Sequence, residues 1–167
     1  LSLHDDLPIY QQVIRPGEVN WMTAGKGIAH SERSQPVNGT LTLEGIQLWL
    51  ALPVDAEGVE PSFVHYKEEK LPLIELEGYH LRLIAGQFLE ESSPLPVYSS
   101  LFYLSCRGEK GKAFSYQLKN QEEGAVYLVK GQLLCEGQEV NPYETVVFRK
   151  GARLEVIASE LSEFMIF

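Results

Sequence analysis

Cysteine is scarce in this chain. Its 167 residues include two, Cys106 and Cys135, 29 positions apart and with no Cys-x-x-Cys spacing. That argues against a disulfide framework or a thiolate zinc site and leaves two reduced packing residues. Basic side chains are also in deficit, 14 against 23 acidic, for a net charge of −9. A chain so charged is ill suited to gripping phosphate backbones, so nucleic acid is not expected as a direct partner. No apolar run approaches the ~20 residues that cross a bilayer. Residues 1–10 carry acids where a signal peptide carries bases, so no membrane partner is expected and the cytoplasm is the expected location. Also missing are Gly-x-Ser-x-Gly, the phosphate-cradling Gly-x-x-x-x-Gly-Lys, and any cysteine beside a plausible histidine, which removes the common hydrolase and nucleotide-binding signatures.

Helical periodicity is nearly absent, and what replaces it is alternation with period two between closely spaced turn signals. The apolar content of 44% suffices for a real core. In residues 45–53, Ile46, Leu48, Leu50 and Leu52 fall on one face and Gln47, Trp49 and Ala51 on the other, and Pro53 stops the run. Further strands are expected at 81–85, 101–104, 125–129, 132–135, 145–148 and 154–158. Glycines 86, 131, 137 and 151 mark the turns between them. The fold class is therefore all-β, a barrel or sandwich. Residues 54–72 break the alternation, being rich in acids and lysine with a helix-compatible run at 65–70, and read as a connector. Pro16, Glu18 and Gly25 recur 126 residues later as Pro142, Glu144 and Gly151. If that offset is a true repeat, the chain is a duplicated barrel.

The stretch with most chemistry is residues 15–32, Arg-Pro-Gly-Glu-Val-Asn-Trp-Met-Thr-Ala-Gly-Lys-Gly-Ile-Ala-His-Ser-Glu. His30 and Glu32 stand two apart, so on a strand they share a face, and imidazole nitrogen beside carboxylate oxygen can ligate one divalent transition metal. Taken alone, the pair fits a hydrogen-bonded surface or buried pair more readily than a metal site. Ser31 points the other way and suits packing or support of the neighbouring ligands. His65 and His80 have no partner at ligand spacing and read as structural or solvent-exposed. Trp21 and Trp49 fit core packing, or else the wall of a pocket that stacks on an aromatic substrate. Carrying the 126-residue offset forward puts Val156 and Ala158 opposite His30 and Glu32, and apolar groups cannot ligate.

Residues 21–32, Trp-Met-Thr-Ala-Gly-Lys-Gly-Ile-Ala-His-Ser-Glu, closely resemble the signature of the pirin family, a branch of the bicupins. The resemblance continues through 45–53, 61–66, 81–86, 100–104 and 163–167, covering about residues 11–167. It implies a cupin-type double β-barrel. Residues 1–60 would belong to an incomplete N-terminal metal-site barrel, 61–72 to a linker, and 73–167 to a C-terminal barrel without metal. The resemblance also implies one mononuclear metal, usually iron, held by three histidines and a glutamate, with His30 and Glu32 matching the last two ligands. The family's other two form a His-x-His pair upstream of the motif, where this chain has no counterpart, so an internal piece of a longer protein is expected. His4 and Asp6 stand at the spacing where the family often carries His-x-Asp, and His4 is the first candidate for a replacement ligand.

The function so implied for an intact parent is that of a metal-dependent dioxygenase acting on a flavonol such as quercetin. Fe(II) or another divalent transition metal would be the cofactor and a small aromatic molecule the substrate, with Glu32 serving as ligand or general base. The alternative is a metal-containing transcriptional or metabolic co-regulator that works through a protein partner.

Overall fold

The computed structural model describes residues 10–34 and 44–167. The strands are β1 (Val19–Thr23), β2 (Ser62–Tyr66), β3 (Leu73–Leu76), β4 (Tyr79–Phe88), β5 (Glu91–Ser92), β6 (Phe102–Gly108) and β7 (Ala113–Gln117). They continue with β8 (Gly124–Lys130), β9 (Leu133–Cys135), β10 (Gln138–Val140), β11 (Thr145–Phe148), β12 (Arg153–Ala158) and β13 (Ser162–Ile166). Single 3₁₀ turns at Val54–Ala56 and Glu68–Lys70 are the helical elements among the described residues. All the strand pairs are antiparallel.

Among the described residues these strands form three sheets. β11-β8-β13-β6-β4-β3 form the large one, with β5 added against β4. β10-β9-β12-β7 form a smaller one, and β1 and β2 make a separate ribbon. Alternation along the strands decides the core. Leu81 and Leu83 of β4, Leu104 and Cys106 of β6, Val126 and Leu128 of β8 and Phe164 and Ile166 of β13 face inward. There they meet Phe114, Leu133, Cys135, Leu154, Val156 and Ala158 of the smaller sheet. Tyr79 closes one end of this core, its hydroxyl donating toward the carbonyls of Lys112 (2.8 Å) and Val156 (3.1 Å).

The opposite face of the large sheet carries a second cluster. Ile84, Ala85, Tyr103, Tyr127, Val129 and Met165 lie there, joined by Val19, Trp21 and Tyr66 of the ribbon and by Leu71, Leu95 and Val97. The ribbon is pinned by two long-range hydrogen bonds, Trp21 Nε1 to the Pro96 carbonyl at 2.9 Å and the Tyr66 hydroxyl to the Pro94 carbonyl at 3.0 Å. Arg82, reaching out of this face, pairs with Glu68 at 2.8 Å and donates to the Glu68 carbonyl at 3.0 Å, which fastens the turn after β2.

The expected strands at 81–85, 101–104, 125–129, 132–135, 145–148 and 154–158 are present as β4, β6, β8, β9, β11 and β12, with ends shifted by a few residues. Three expectations are corrected. Residues 45–53 carry no regular secondary structure. Their apolar alternation suits a strand, but a strand is held by ladder bonds to a neighbour, and none is formed among the described residues. The helix-compatible run at 65–70 is divided between the end of β2 and a 3₁₀ turn, because Asn20 and Val19 of β1 pair with His65 and Tyr66. Gly86 is not a turn but a kink inside β4. Its φ is +79°, and a Cβ there would lie 1.9 Å from the Leu101 carbonyl oxygen, so only glycine fits.

The turns at the two ends of the 126-residue offset are alike, although the same pair of bonds also closes the turn Lys119–Glu122 (both 2.9 Å). At Arg15-Pro16-Gly17-Glu18 the Glu18 amide donates to the Arg15 carbonyl (3.0 Å) while Glu18 Oε2 accepts from the Arg15 amide (2.8 Å). At Asn141-Pro142-Tyr143-Glu144 the same two bonds recur at 3.1 and 2.8 Å. The third residue has positive φ in both, +80° for Gly17 and +71° for Tyr143, and each turn opens a strand, β1 or β11.

Burial pushes the Tyr79 and Tyr103 hydroxyls from 10.0 up to about 12. Their neutral forms are therefore favoured by the folded state. The stabilisation they give is complete below the ordinary tyrosine value and is lost as pH climbs from about 10 toward about 12. Alkaline titration followed by circular dichroism should show stability falling across that window. Tyr79→Phe should lower stability by about 1 kcal/mol at neutral pH by removing the bridging hydroxyl, measured by urea unfolding.

Candidate metal centre

The motif that carries His30 and Glu32 begins in well-fixed structure. The Glu18 clasp sets the turn into β1, and β1 pairs along its length with β2, from Val19↔Tyr66 to Thr23↔Ser62. Thr23 is buried, and the chain then turns, the Gly27 amide donating to the Ala24 carbonyl at 2.9 Å. Gly25 sits at φ +49° with its would-be Cβ 2.0 Å from the Val59 carbonyl oxygen, the same oxygen that accepts from the Lys26 amide at 3.0 Å. A side chain at 25 would therefore push residues 24–27 off the connector. Lys26 also pairs with Glu60. The first half of the motif is thus bound to residues 59–66 by ladder bonds, a backbone bond and an ion pair.

From Ile28 onward the character changes. Ile28 is 37% exposed, and His30, Ser31 and Glu32 are exposed in backbone without regular secondary structure. His4 lies outside the described residues. Among the described residues, no group of three or more histidine, cysteine, aspartate and glutamate side chains is gathered. An imidazole and a carboxylate are the right donor chemistry for iron or a neighbouring divalent ion, but two donors fall short of a closed site. The described residues alone do not constitute a metal centre.

The other candidates have definite places. Trp21 is packed and hydrogen-bonded through its indole nitrogen to Pro96, whereas Trp49 is 86% exposed. Val156 and Ala158, opposite His30 and Glu32 in the offset, are fully buried on β12. Cys106 and Cys135 are free and buried, and burial raises both thiols, that of Cys135 to about 11, so neither is a ready nucleophile. His80 lies half-exposed, 3.5 Å from Glu75.

His65 has partners that spacing along the chain does not reveal. Its Nδ1 is 2.8 Å from Asn20 Oδ1, directly across the β1–β2 ladder, and its Nε2 is 3.6 Å from Glu18 Oε2. The imidazole and the Glu18 carboxylate are 12% and 9% exposed. Both ring nitrogens thus face oxygen acceptors, and Glu18 joins the turn before β1 to β2. The signal that could have located the cluster is the strand character of 62–66, which sets His65 opposite Asn20.

Comparison with known proteins fits this geometry. Residues 2–50 match the sequence profile of the Pirin family. A pirin-like protein of Caulobacter vibrioides is 39% identical over 157 residues, 92% of this chain and 54% of that protein. The chain belongs to the pirin family. Human pirin is 26% identical over 160 residues, again 92% of the chain and 53% of the relative. A crystal structure described as quercetin 2,3-dioxygenase from Acinetobacter baumannii superposes with a TM-score of 0.79 at 26% identity, covering 93% of this chain and 51% of that one. The two facing sheets are accordingly a cupin fold. The chain spans about half the length of the pirin relatives it matches. Among the described residues no helix is long and apolar enough to cross a membrane.

The His65 cluster predicts a local effect. His65→Ala removes the bond to Asn20 and leaves a nearly buried carboxylate at Glu18 with one partner fewer, at a cost on the order of 1–2 kcal/mol. Hydrogen exchange should quicken in β1 and β2, while the amides of β4, β6 and β13 keep their protection.

Proposed function

We propose that the protein is a pirin-type, metal-dependent dioxygenase of the cytoplasm acting on a flavonol such as quercetin. The observation that carries this reading is the 0.79 TM-score, over 93% of the chain, with the Acinetobacter quercetin 2,3-dioxygenase. In this reading residues 1–60 belong to the metal-site barrel, 61–72 link, and 73–167 form the barrel without metal. His30 Nε2 or Nδ1 and the Glu32 carboxylate would be this chain's donors to Fe(II) or a similar divalent ion, completed by ligands beyond those the described residues gather. Such an ion, when bound, offers open positions for substrate oxygens and a positive charge that stabilises an enolate. Glu32 can also accept the proton of a flavonol hydroxyl at a carboxylate oxygen, the general-base role. Gly25, by holding 24–27 against Val59, sets where the run to Glu32 leaves the β1–β2 ribbon.

The test uses a relative-length protein restored around this sequence. His30→Ala should abolish metal retention, since alanine offers no donor atom. Glu32→Gln should lower flavonol turnover by at least about tenfold while lowering iron content less, because an amide oxygen coordinates weakly but cannot take a proton. Near-normal turnover of Glu32→Gln would remove Glu32 from both roles. No turnover at all, together with capture of a protein partner, favours the co-regulator reading. The 167-residue chain itself should lose iron on dialysis, because even loss of a supporting group costs a metal site ~10–100-fold in affinity. Stoichiometric iron after dialysis would point to further donors, His4 first.

A further inference from the structure

The run to His30 and Glu32 leaves the far end of the β1–β2 ribbon, whose ladder extends from Val19↔Tyr66 at the base to Thr23↔Ser62. At ~3.3 Å per residue the stretch from Glu18 to Ala24 spans about 20 Å, so a tilt of about 3° at the base displaces the far end by about 1 Å. A ligand constellation tolerates only ~0.5 Å. Whatever fixes the tilt of the ribbon therefore fixes where the donor pair starts.

The base is gripped from two sides. On one, His65 reaches Asn20 and Glu18. On the other stands Glu68, whose carboxylate lies against Gly17, where a Cβ would meet Glu68 Cδ and Oε2 at 2.7 Å. The matching position of the 141–144 turn holds Tyr143 at φ +71°, so a left-handed backbone does not by itself demand glycine there. At 17 the Glu68 carboxylate does. Glu68 is held in turn from β4. Arg82 Nη2 pairs with Glu68 Oε1 at 2.8 Å, and Nη1 donates to the carbonyls of Glu68 at 3.0 Å and Leu71 at 3.3 Å. A lone surface ion pair contributes little, but a planar guanidinium that also spans two carbonyls fixes direction as well as distance. Trp21 and Tyr66 keep the ribbon down on the sheet, while Glu68 bears on the turn from which β1 starts.

We propose that Arg82 is a positioning residue for the His30–Glu32 donor pair. Through Glu68 it sets the angle at which the ribbon leaves the large sheet, so that this sheet aligns donors it does not itself contain. The inference rests on the reading of His30 and Glu32 as metal donors.

Hydrogen exchange on the 167-residue chain, and Co(II) binding by the relative-length protein, test it. Arg82→Gln should speed exchange of the Lys26 and Gly27 amides and of β1, while β6 and β13 keep their protection, showing that the fold is intact. In the relative-length protein it should weaken Co(II) binding by about tenfold and shift the visible absorption of the bound ion, which reports coordination geometry. Glu68→Gln keeps the shape against Gly17 but loses the charge, and it should change both readouts in the same direction. The double variant should be no worse than Arg82→Gln alone, because both changes break one link. Tyr79→Phe, destabilising in the core away from the ribbon, should leave Co(II) affinity and spectrum unchanged, which separates positioning from stability. Wild-type Co(II) affinity in Arg82→Gln, unchanged exchange at 26–27, additive losses in the double variant, or an equal loss in Tyr79→Phe each overturns the proposal. If the wild-type relative-length protein takes up no Co(II), or His30→Ala takes up as much, the donor reading itself falls and takes this inference with it.

Discussion

Every strand in this protein exists because a neighbour completes its main-chain hydrogen bonds, and that condition orders the rest of the structure. From β3 to β13 each strand has a partner, two sheets close over one apolar core, and buried side chains follow by alternation. The ribbon of β1 and β2 is the smallest unit that meets the condition, and it needs help from Trp21, Tyr66 and Arg82 to stay on the sheet. Residues 45–53 have the side-chain pattern of a strand but no partner among the described residues, and they carry no regular secondary structure.

That contrast explains what could be read from the sequence. The strands of the C-terminal half were legible where period-two alternation ended at glycines 131, 137 and 151, all of which adopt positive φ in turns. Alternation reports which side chains can be buried together, but it carries no information on whether an adjacent strand exists, so 45–53 was misread. β2 was missed for the reverse reason. Its Ser-Phe-Val-His-Tyr lies between Pro61 and a run of charges, and its strand character comes from pairing with β1. Gly86 looked like punctuation because a glycine at a strand end and a glycine inside a kinked strand are identical in composition.

The candidate site divides along the same line. Glycines 25 and 27 and the turn from Arg15 were legible as backbone devices, and Gly25 answers to a specific obstacle, the Val59 carbonyl. His30 and Glu32 were legible as a donor pair through resemblance to pirins. The Glu18–His65–Asn20 cluster was not, because its members are 45 and 47 residues apart and meet only across a ladder. The residues that organise the motif are thus distributed between a local turn and a distant strand.

The paired turns at 15–18 and 141–144 differ at one informative position. One places glycine at the left-handed residue and the other a tyrosine, 76% exposed, at φ +71°. An L-residue with a bulky side chain pays for that conformation, and exposure means that no packing repays it. The two turns share the proline at the second position and the glutamate whose carboxylate accepts from the first amide. The carboxylate clasp, which also closes the turn Lys119–Glu122, therefore holds the turn whether or not glycine occupies the left-handed position. The left-handed position can thus carry an exposed side chain while the strand that follows, β1 or β11, starts from the same clasp.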